Sequence, residues 1–155
     1  MSDYKFYMQK VEWDSTTQEH IKVDGTLKDL EVDFVGLRYA KCEGLNNIGE
    51  HRVYTEEYAD DNRVRVYMSN TQTHKATEVK LTLYFVGENR QESFDAFNEY
   101  VLDGTHVYYD TARNKQLVFY VSKPISPSQD MYKGNTPYIE ATYTLSNVYG
   151  KATNV

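Results

Sequence analysis

Hydrophobic and polar residues alternate along much of this chain, most clearly from Glu78 to Val86. One side of that segment carries Val79, Leu81, Leu83 and Phe85, and the other carries Lys80, Thr82 and Tyr84. A period of two residues is typical of a β-strand with one buried face. The same pattern predicts strands at Arg63 to Met68, Gln116 to Val121 and Tyr138 to Leu145. We expect these strands to be antiparallel, because one-sided alternation is typical of such sheets.

The stretch from Leu30 to Tyr39 has a different pattern. Its first apolar residues are Leu30, Val32 and Phe34, and the later ones, Val35, Leu37 and Tyr39, fall in the opposite phase. The phase changes beside Gly36, which predicts one strand with a β-bulge there, because an extra residue re-aims the side chains that follow.

The segment from Asn89 to Gly104 has the pattern of a helix. Phe94, Phe97 and Val101 recur at helical spacing and form one apolar stripe. Asn89 and Glu92 stand in the relation of a capping box at the amino end, and Gly104 is a natural stop. We expect a short α-helix at about residues 90–102, packed on a sheet.

These elements predict a mainly β fold, either an antiparallel β-sandwich or a partly closed barrel with one short α-helix. A chain of 155 residues fits a single domain, residues 1–155, in which residues 1–25 are a candidate extended N-terminal segment. Two long irregular regions, 41–61 and 122–137, interrupt the strands. Loops beyond about 12 to 15 residues are usually functional or disordered, so we expect contacts there, and a hairpin in the first region.

Composition limits the classes of partner. The formal net charge is −6 and no basic run is present, which argues against a protein that grips nucleic acid through its phosphates. A negative wall would instead let DNA slide past without binding. The chain also contains fifteen tyrosines, a residue that favours strands and is enriched at protein interfaces.

The sequence predicts neither secretion nor a membrane span. Cys42 is the only cysteine, so no internal disulfide can form. The first residues, MSDYKFYMQKVEWD, lack the apolar run of a signal peptide, and no stretch approaches the ~20 apolar residues of a spanning helix. We therefore expect synthesis in the cytoplasm.

No motif predicts catalysis, a cofactor or a metal site. The chain has neither a Gly-x-Ser-x-Gly elbow nor a phosphate-binding glycine loop, and Glu43 beside Cys42 opposes thiolate formation. The histidines lack the paired spacing of zinc ligands: His20, His51, His74 and His106. One acidic group lacks the ligand order of an EF-hand and is expected to form a solvated hairpin tip: Glu56, Glu57, Asp60 and Asp61.

The order of elements resembles a known viral family. A strand ending in Leu83 to Gly87 precedes the capped helix Gln91 to Leu102, and strands follow around His106 to Tyr109 and Leu117 to Val121. This order is similar to the β-sandwich with one helix of bacteriophage tail tube proteins and of the ring-forming part of distal tail proteins. In that family the segment after the helix resembles Tyr108 to Arg113, and a long early loop reaches a neighbouring subunit.

The resemblance implies a structural protein of a phage or prophage tail, present in the virion and made in the cytoplasm of the host bacterium. Its partners would be itself, in a homo-oligomeric ring that is typically hexameric, and other tail proteins. The rings would stack around a channel through which DNA passes without specific binding. Head-to-tail interfaces close into rings when their rotation divides the circle.

Interface residues are predicted in the two long loops and the strand beside the first. Buried aromatic and arginine side chains carry much of the energy of interfaces, which favours those residue types. The predicted subunit interface consists of Tyr54, Glu57, Tyr58, Arg63, Arg65, Met131 and Tyr132.

Two other functions remain open from the sequence. The first is a carbohydrate- or surface-binding module that stacks tyrosine rings on sugars, with Tyr54, Tyr58, Tyr132 and Tyr138 as candidates. The second is a small enzyme or a lipocalin-like carrier, which would need an apolar cavity with a few convergent polar groups. The helix argues against a carrier, because it interrupts the strand series, whereas such carriers usually place it after the barrel.

Overall fold

The computed structural model describes residues 6–50, 53–57, 64–68 and 74–154, and within 53–57 and 64–68 it describes the backbone alone. The elements in this part of the chain are β1 (Phe6–Asp14), β2 (Glu19–Lys22), β3 (Lys28–Asp29), α1 (Leu30–Asp33), β4 (Leu37–Glu43), β5 (Val53–Glu57), β6 (Val64–Met68), β7 (Thr77–Val86), α2 (Arg90–Val101), β8 (Thr105–Asp110), β9 (Lys115–Val121), β10 (Ser126–Pro127), β11 (Met131–Lys133), β12 (Thr136–Asn147) and β13 (Thr153–Asn154).

The fold is mainly β and antiparallel, as predicted. One sheet runs in the order β2, β1, β8, β9, β12, β7, β4. The short strands β10 and β11 add to β12, β13 adds to β9, and β3 adds to β1. The sheet does not close on itself, so the architecture is sandwich-like.

Strand β12 divides this sheet into two layers. One edge of β12 pairs with β7 from Tyr138 to Asn147. The other edge pairs with β11 and β10 near its start, and with β9 only over Leu145 to Asn147. The far strands of the two layers face each other, because the ring of Phe6 in β1 stacks on that of Tyr39 in β4 with 3.9 Å between centroids.

The core fills the space between the layers. The buried face of β7 is the one predicted from its alternation, and β12 adds a second row of alternating residues. Aromatic side chains from β1, β8, β9 and α2 complete the core. Its main residues are Val79, Leu81, Leu83, Phe85, Ile139, Ala141, Tyr143, Leu145, Phe6, Met8, Tyr108, Leu117, Phe119 and Phe97.

Helix α2 confirms the predicted helix, and its stripe points into the core. Phe97 is fully buried, with its ring edge-on to Phe34 at 5.3 Å and to Tyr143 at 5.1 Å between centroids. The hydroxyl of Tyr143 donates a hydrogen bond to Asn98 Oδ1 at 2.7 Å. A twelve-residue helix is marginal alone in water, so these tertiary contacts stabilise it.

The predicted capping box is wrong. Asn89 holds the N-cap position, but its side chain makes no capping hydrogen bond. Its backbone lies at φ −92° and ψ 16°, outside the extended region that a capping side chain normally needs. The backbone carbonyl of Gly87 instead accepts hydrogen bonds from the main chain and from the guanidinium of Arg90.

The single bulged strand predicted over Leu30 to Tyr39 is also wrong. The segment begins with the short helix α1, which places Leu30 and Phe34 one turn apart and buries both. At Gly36, with φ +83°, a Cβ atom would collide with the carbonyl oxygen of Val86, so the glycine permits a close approach of two backbones. The bulge lies later, between Tyr39 and Lys41 in β4. The described part of the chain therefore has two helices rather than one.

The segments predicted as irregular contain regular structure. The first region opens with the end of β4 and contains β5, which pairs with β6 as the expected hairpin. The second contains β10 and β11 and the start of β12. In the N-terminal segment, β1 and β2 form a hairpin whose first strand also pairs with β8.

Candidate interaction surfaces

The lone thiol lies inside the core. Cys42 is 8% exposed, and burial raises its pKa to about 12. A neutral thiol in an apolar surrounding is a poor nucleophile. Cys42 therefore packs as a small hydrophobic residue at neutral pH.

The described histidines are His20, His74 and His106, and His51 lies outside the described residues. His106 is fully buried, and this burial lowers its pKa. His20 shares a hydrogen bond of 2.7 Å between its Nδ1 and the hydroxyl of Tyr149, and partial burial lowers its pKa. Within the described ranges, no group of three His, Cys, Asp or Glu side chains is placed to hold a metal ion.

The hairpin β5–β6 holds part of the predicted interface. Tyr54 and Glu57 lie on β5, opposite Tyr67 and Val64, and Arg65 lies on β6. The structure thus places these three predicted residues on one two-stranded sheet, separate from the main sheet. Tyr58 and Arg63, as well as Asp60 and Asp61 of the acidic group, lie outside the described residues.

The other predicted interface residues lie on β11 at an edge of the main sheet. Tyr132 is 66% exposed and Met131 is 42% exposed. The preceding loop is fixed by Arg90, whose guanidinium donates two hydrogen bonds of 2.9 Å to the carboxylate of Asp130. These bonds hold the pKa of Asp130 below its ordinary value. The pair therefore anchors the loop before β11 to the first residue of α2.

A shallow depression lies beside this edge. The rings of Tyr84 and Tyr138 stand edge to face with 5.5 Å between centroids. With Val86, Lys133 and Thr136 they line a space of about 460 Å³. The depression combines aromatic faces with a cation and a hydroxyl, which are groups that can contact a sugar or a peptide.

A third surface was not predicted, and it covers the outer face of the layer β2, β1, β8, β9. Its floor is apolar, because the outward residues of these strands form a second cluster: Val11, Val107 and Tyr109, with Tyr7 and Val118 packed against them. The ammonium of Lys22 lies 4.9 Å above the ring centre of Tyr109. The segment after β12 forms one wall through Tyr149, Lys151 and Thr153.

We call this depression of about 230 Å³ the lysine groove; it is lined by Val11, His20, Lys22, Val107, Gln116, Leu117, Val118, Tyr149, Lys151 and Thr153. The hydrogen bond between His20 and Tyr149 joins two walls that are 129 residues apart in the sequence. Trp13, 57% exposed, contacts the His20 ring at its rim. No sequence pattern relates such distant residues. Strand β8 alone indicates a second buried surface, because apolar residues lie on both of its faces.

The sequence matches no family model, and no curated protein matches it. None of the helices in the described ranges is long and apolar enough to cross a membrane.

Proposed function

We propose that this protein is a structural subunit of a bacteriophage or prophage tail, which assembles with copies of itself into rings stacked around a DNA channel. The observation that carries the proposal is the hairpin β5–β6. Its strands pair with each other and, among the described strands, with no strand of the main sheet. An unattached hairpin is suited to contact a neighbouring subunit.

The order of elements also supports the proposal. Helix α2 is inserted between β7 and β8 of an antiparallel sandwich, which is the order on which the resemblance to tail proteins rests. The sheet is open, so it keeps edges that a second copy can extend. The net charge of −6 is compatible with a channel wall that does not bind DNA.

Exposed apolar side chains are available for contacts between subunits. Tyr132 and Met131 on β11 are accessible, and Trp13, Tyr120 and Tyr149 are accessible on the opposite layer. Aromatic residues and methionine are enriched at protein interfaces. Surfaces on two sides of one subunit fit a head-to-tail arrangement, in which each copy uses different patches toward its two neighbours.

The test is assembly of the purified protein. Light scattering over a range of protein concentrations and salt concentrations, with negative-stain images of the same samples, should show rings or short tubes. Tyr132→Ser should weaken assembly, whereas Val32→Ser, at an exposed site of α1, should not. A protein that stays monomeric under all conditions and forms no rings would contradict the proposal.

A second function has one observation in its favour. The depression between Tyr84 and Tyr138 offers aromatic faces beside Lys133 and Thr136, which suits a carbohydrate-binding module. Tyr132, another predicted sugar contact, lies exposed on the adjacent strand, whereas nothing is described for the side chains of Tyr54 and Tyr58. Binding of a monodisperse monomer to a glycan array, lost in Tyr84→Ala, would favour this function over the tail.

A further inference from the structure

The lysine groove is positively charged although the protein is acidic. Lys22 and Lys151 line it, and Lys115 lies in an adjoining depression that shares Tyr149, Lys151 and Thr153 with the groove. No aspartate or glutamate is among the described residues that line either depression. In a chain of net charge −6 such a surface should attract a negatively charged partner.

The solvent face of α2 has the opposite charge. Glu92, Asp95 and Glu99 are exposed at spacings of three and four residues, so they lie along one side of the helix. Ala96, also exposed, lies among them and leaves room for close approach. The one basic residue of α2, Arg90, is paired with Asp130.

These two surfaces lie on different sides of the subunit. Helix α2 packs against β7, β12 and β4, whereas the groove lies on the outer face of β1, β8 and β9. A contact between them therefore joins two copies, and when it is repeated head to tail it is heterologous, which is the kind of contact that builds rings and tubes. A helix laid on the open face of a sheet is also a common packing of layers.

We propose that the acidic face of α2 in one copy docks on the lysine groove of the next copy. Lys22 and Lys151 face the carboxylates of Glu92 and Glu99, and the apolar floor lies beneath the helix. This inference rests on the proposed function, since it specifies one contact of the assembly. Because exposed charges carry part of the contact, added salt should weaken it.

Charge reversal on both partners tests the contact. Lys22→Glu with Lys151→Glu, and separately Glu92→Lys with Glu99→Lys, should each weaken self-association by about tenfold or more, measured by light scattering. An equimolar mixture of the two variants should recover association, because the reversed groove of one now fits the reversed helix of the other. The control is Lys80→Glu with Lys123→Glu, which changes the net charge equally at lysines outside the groove.

The outcomes separate this inference from the proposed function. If the wild-type protein assembles and the groove variant assembles equally well, the docking is wrong while the tail function stands. Failure of the mixture to recover association also overturns the docking, because the two surfaces then contact something else. A wild-type protein that never assembles overturns both. Circular dichroism checks folding, and Lys22→Gln with Lys151→Gln, expected to weaken association less, replaces a reversed variant that does not fold.

Discussion

The two faces of the layer β1, β8, β9 come from the same strands but differ in how they are covered. On the inner face, Phe6, Tyr108 and Phe119 are fully buried against the opposite layer. On the outer face, Val107 and Tyr109 are also buried, yet the aromatic residues around them, Trp13, Tyr120 and Tyr149, stay accessible. The inner face therefore stabilises the fold, whereas the outer face leaves aromatic side chains accessible for the contact proposed above.

Substitutions on the two faces should therefore have different effects. A change on the inner face should lower the free energy of unfolding of the single chain. A change on the outer face should leave the single chain folded and alter its association.

Truncation of the central aromatic residue of α2 should have the largest effect. Phe97→Ala removes a fully buried ring that contacts Phe34, Tyr143 and Phe85, and should lower the free energy of unfolding by about 3–5 kcal/mol. Urea unfolding measures this. Phe94→Ala is the matched control, because Phe94 belongs to the same stripe but is only half-buried, and it should cost clearly less. Equal losses would contradict the central position of Phe97.

Two buried tyrosines should respond differently to removal of the hydroxyl. Tyr143→Phe should cost about 1–2 kcal/mol, because the hydroxyl of Tyr143 donates to Asn98. Tyr108→Phe should be neutral or slightly stabilising, because the buried Tyr108 hydroxyl has no hydrogen-bond partner among the described residues. Urea midpoints of the two variants and the wild type measure the difference. A loss at Tyr108 equal to that at Tyr143 would mean that its hydroxyl has a partner in solution.

Lowering the pH should reduce the stability of the protein through His106. Burial lowers the pKa of its ring, Lys10 acts in the same direction and Asp103 opposes them, so the unfolded chain binds the proton more readily. This contribution to stability is complete above the ordinary histidine pKa of about 6.5 and is lost as the pH falls below it. His106→Phe should lose less stability than the wild type between pH 7.5 and 5.5, measured by urea unfolding. Parallel losses in the two proteins would assign the acid sensitivity to other groups.

Uninterrupted alternation made the strands with one buried face the easiest elements to predict. β7 was found because Val79 to Phe85 alternate without interruption. β1 was missed because its buried residues change phase, from Phe6 and Met8 on the inner face to Val11 on the outer face. α1 was missed because four residues are too few to establish a helical period.

The lysine groove could not be predicted for a different reason. Its walls come from β2 and from the segment after β12, and only the tertiary fold brings His20 to Tyr149. Of the predicted interface, Met131 and Tyr132 are exposed on one edge, but no sequence pattern relates them to Trp13. Pairing of strands distant in sequence is set by the whole sheet, which local periodicity does not encode.

The smallest effect on stability is expected at Trp13, where the two faces should differ most clearly. Trp13→Ala removes a ring that is more than half exposed, so the free energy of unfolding should change by about 0.5 kcal/mol or less. Association should nevertheless weaken markedly, because tryptophan at the rim of an apolar groove is a frequent source of binding energy. Urea unfolding of the dilute monomer and light scattering of the concentrated protein separate the two effects. Val32→Ala, at an exposed residue of α1 that does not line the groove, should change neither quantity. If Trp13→Ala unfolds the chain as readily as Phe97→Ala does, the outer face belongs to the core, and the distinction between the two faces is wrong.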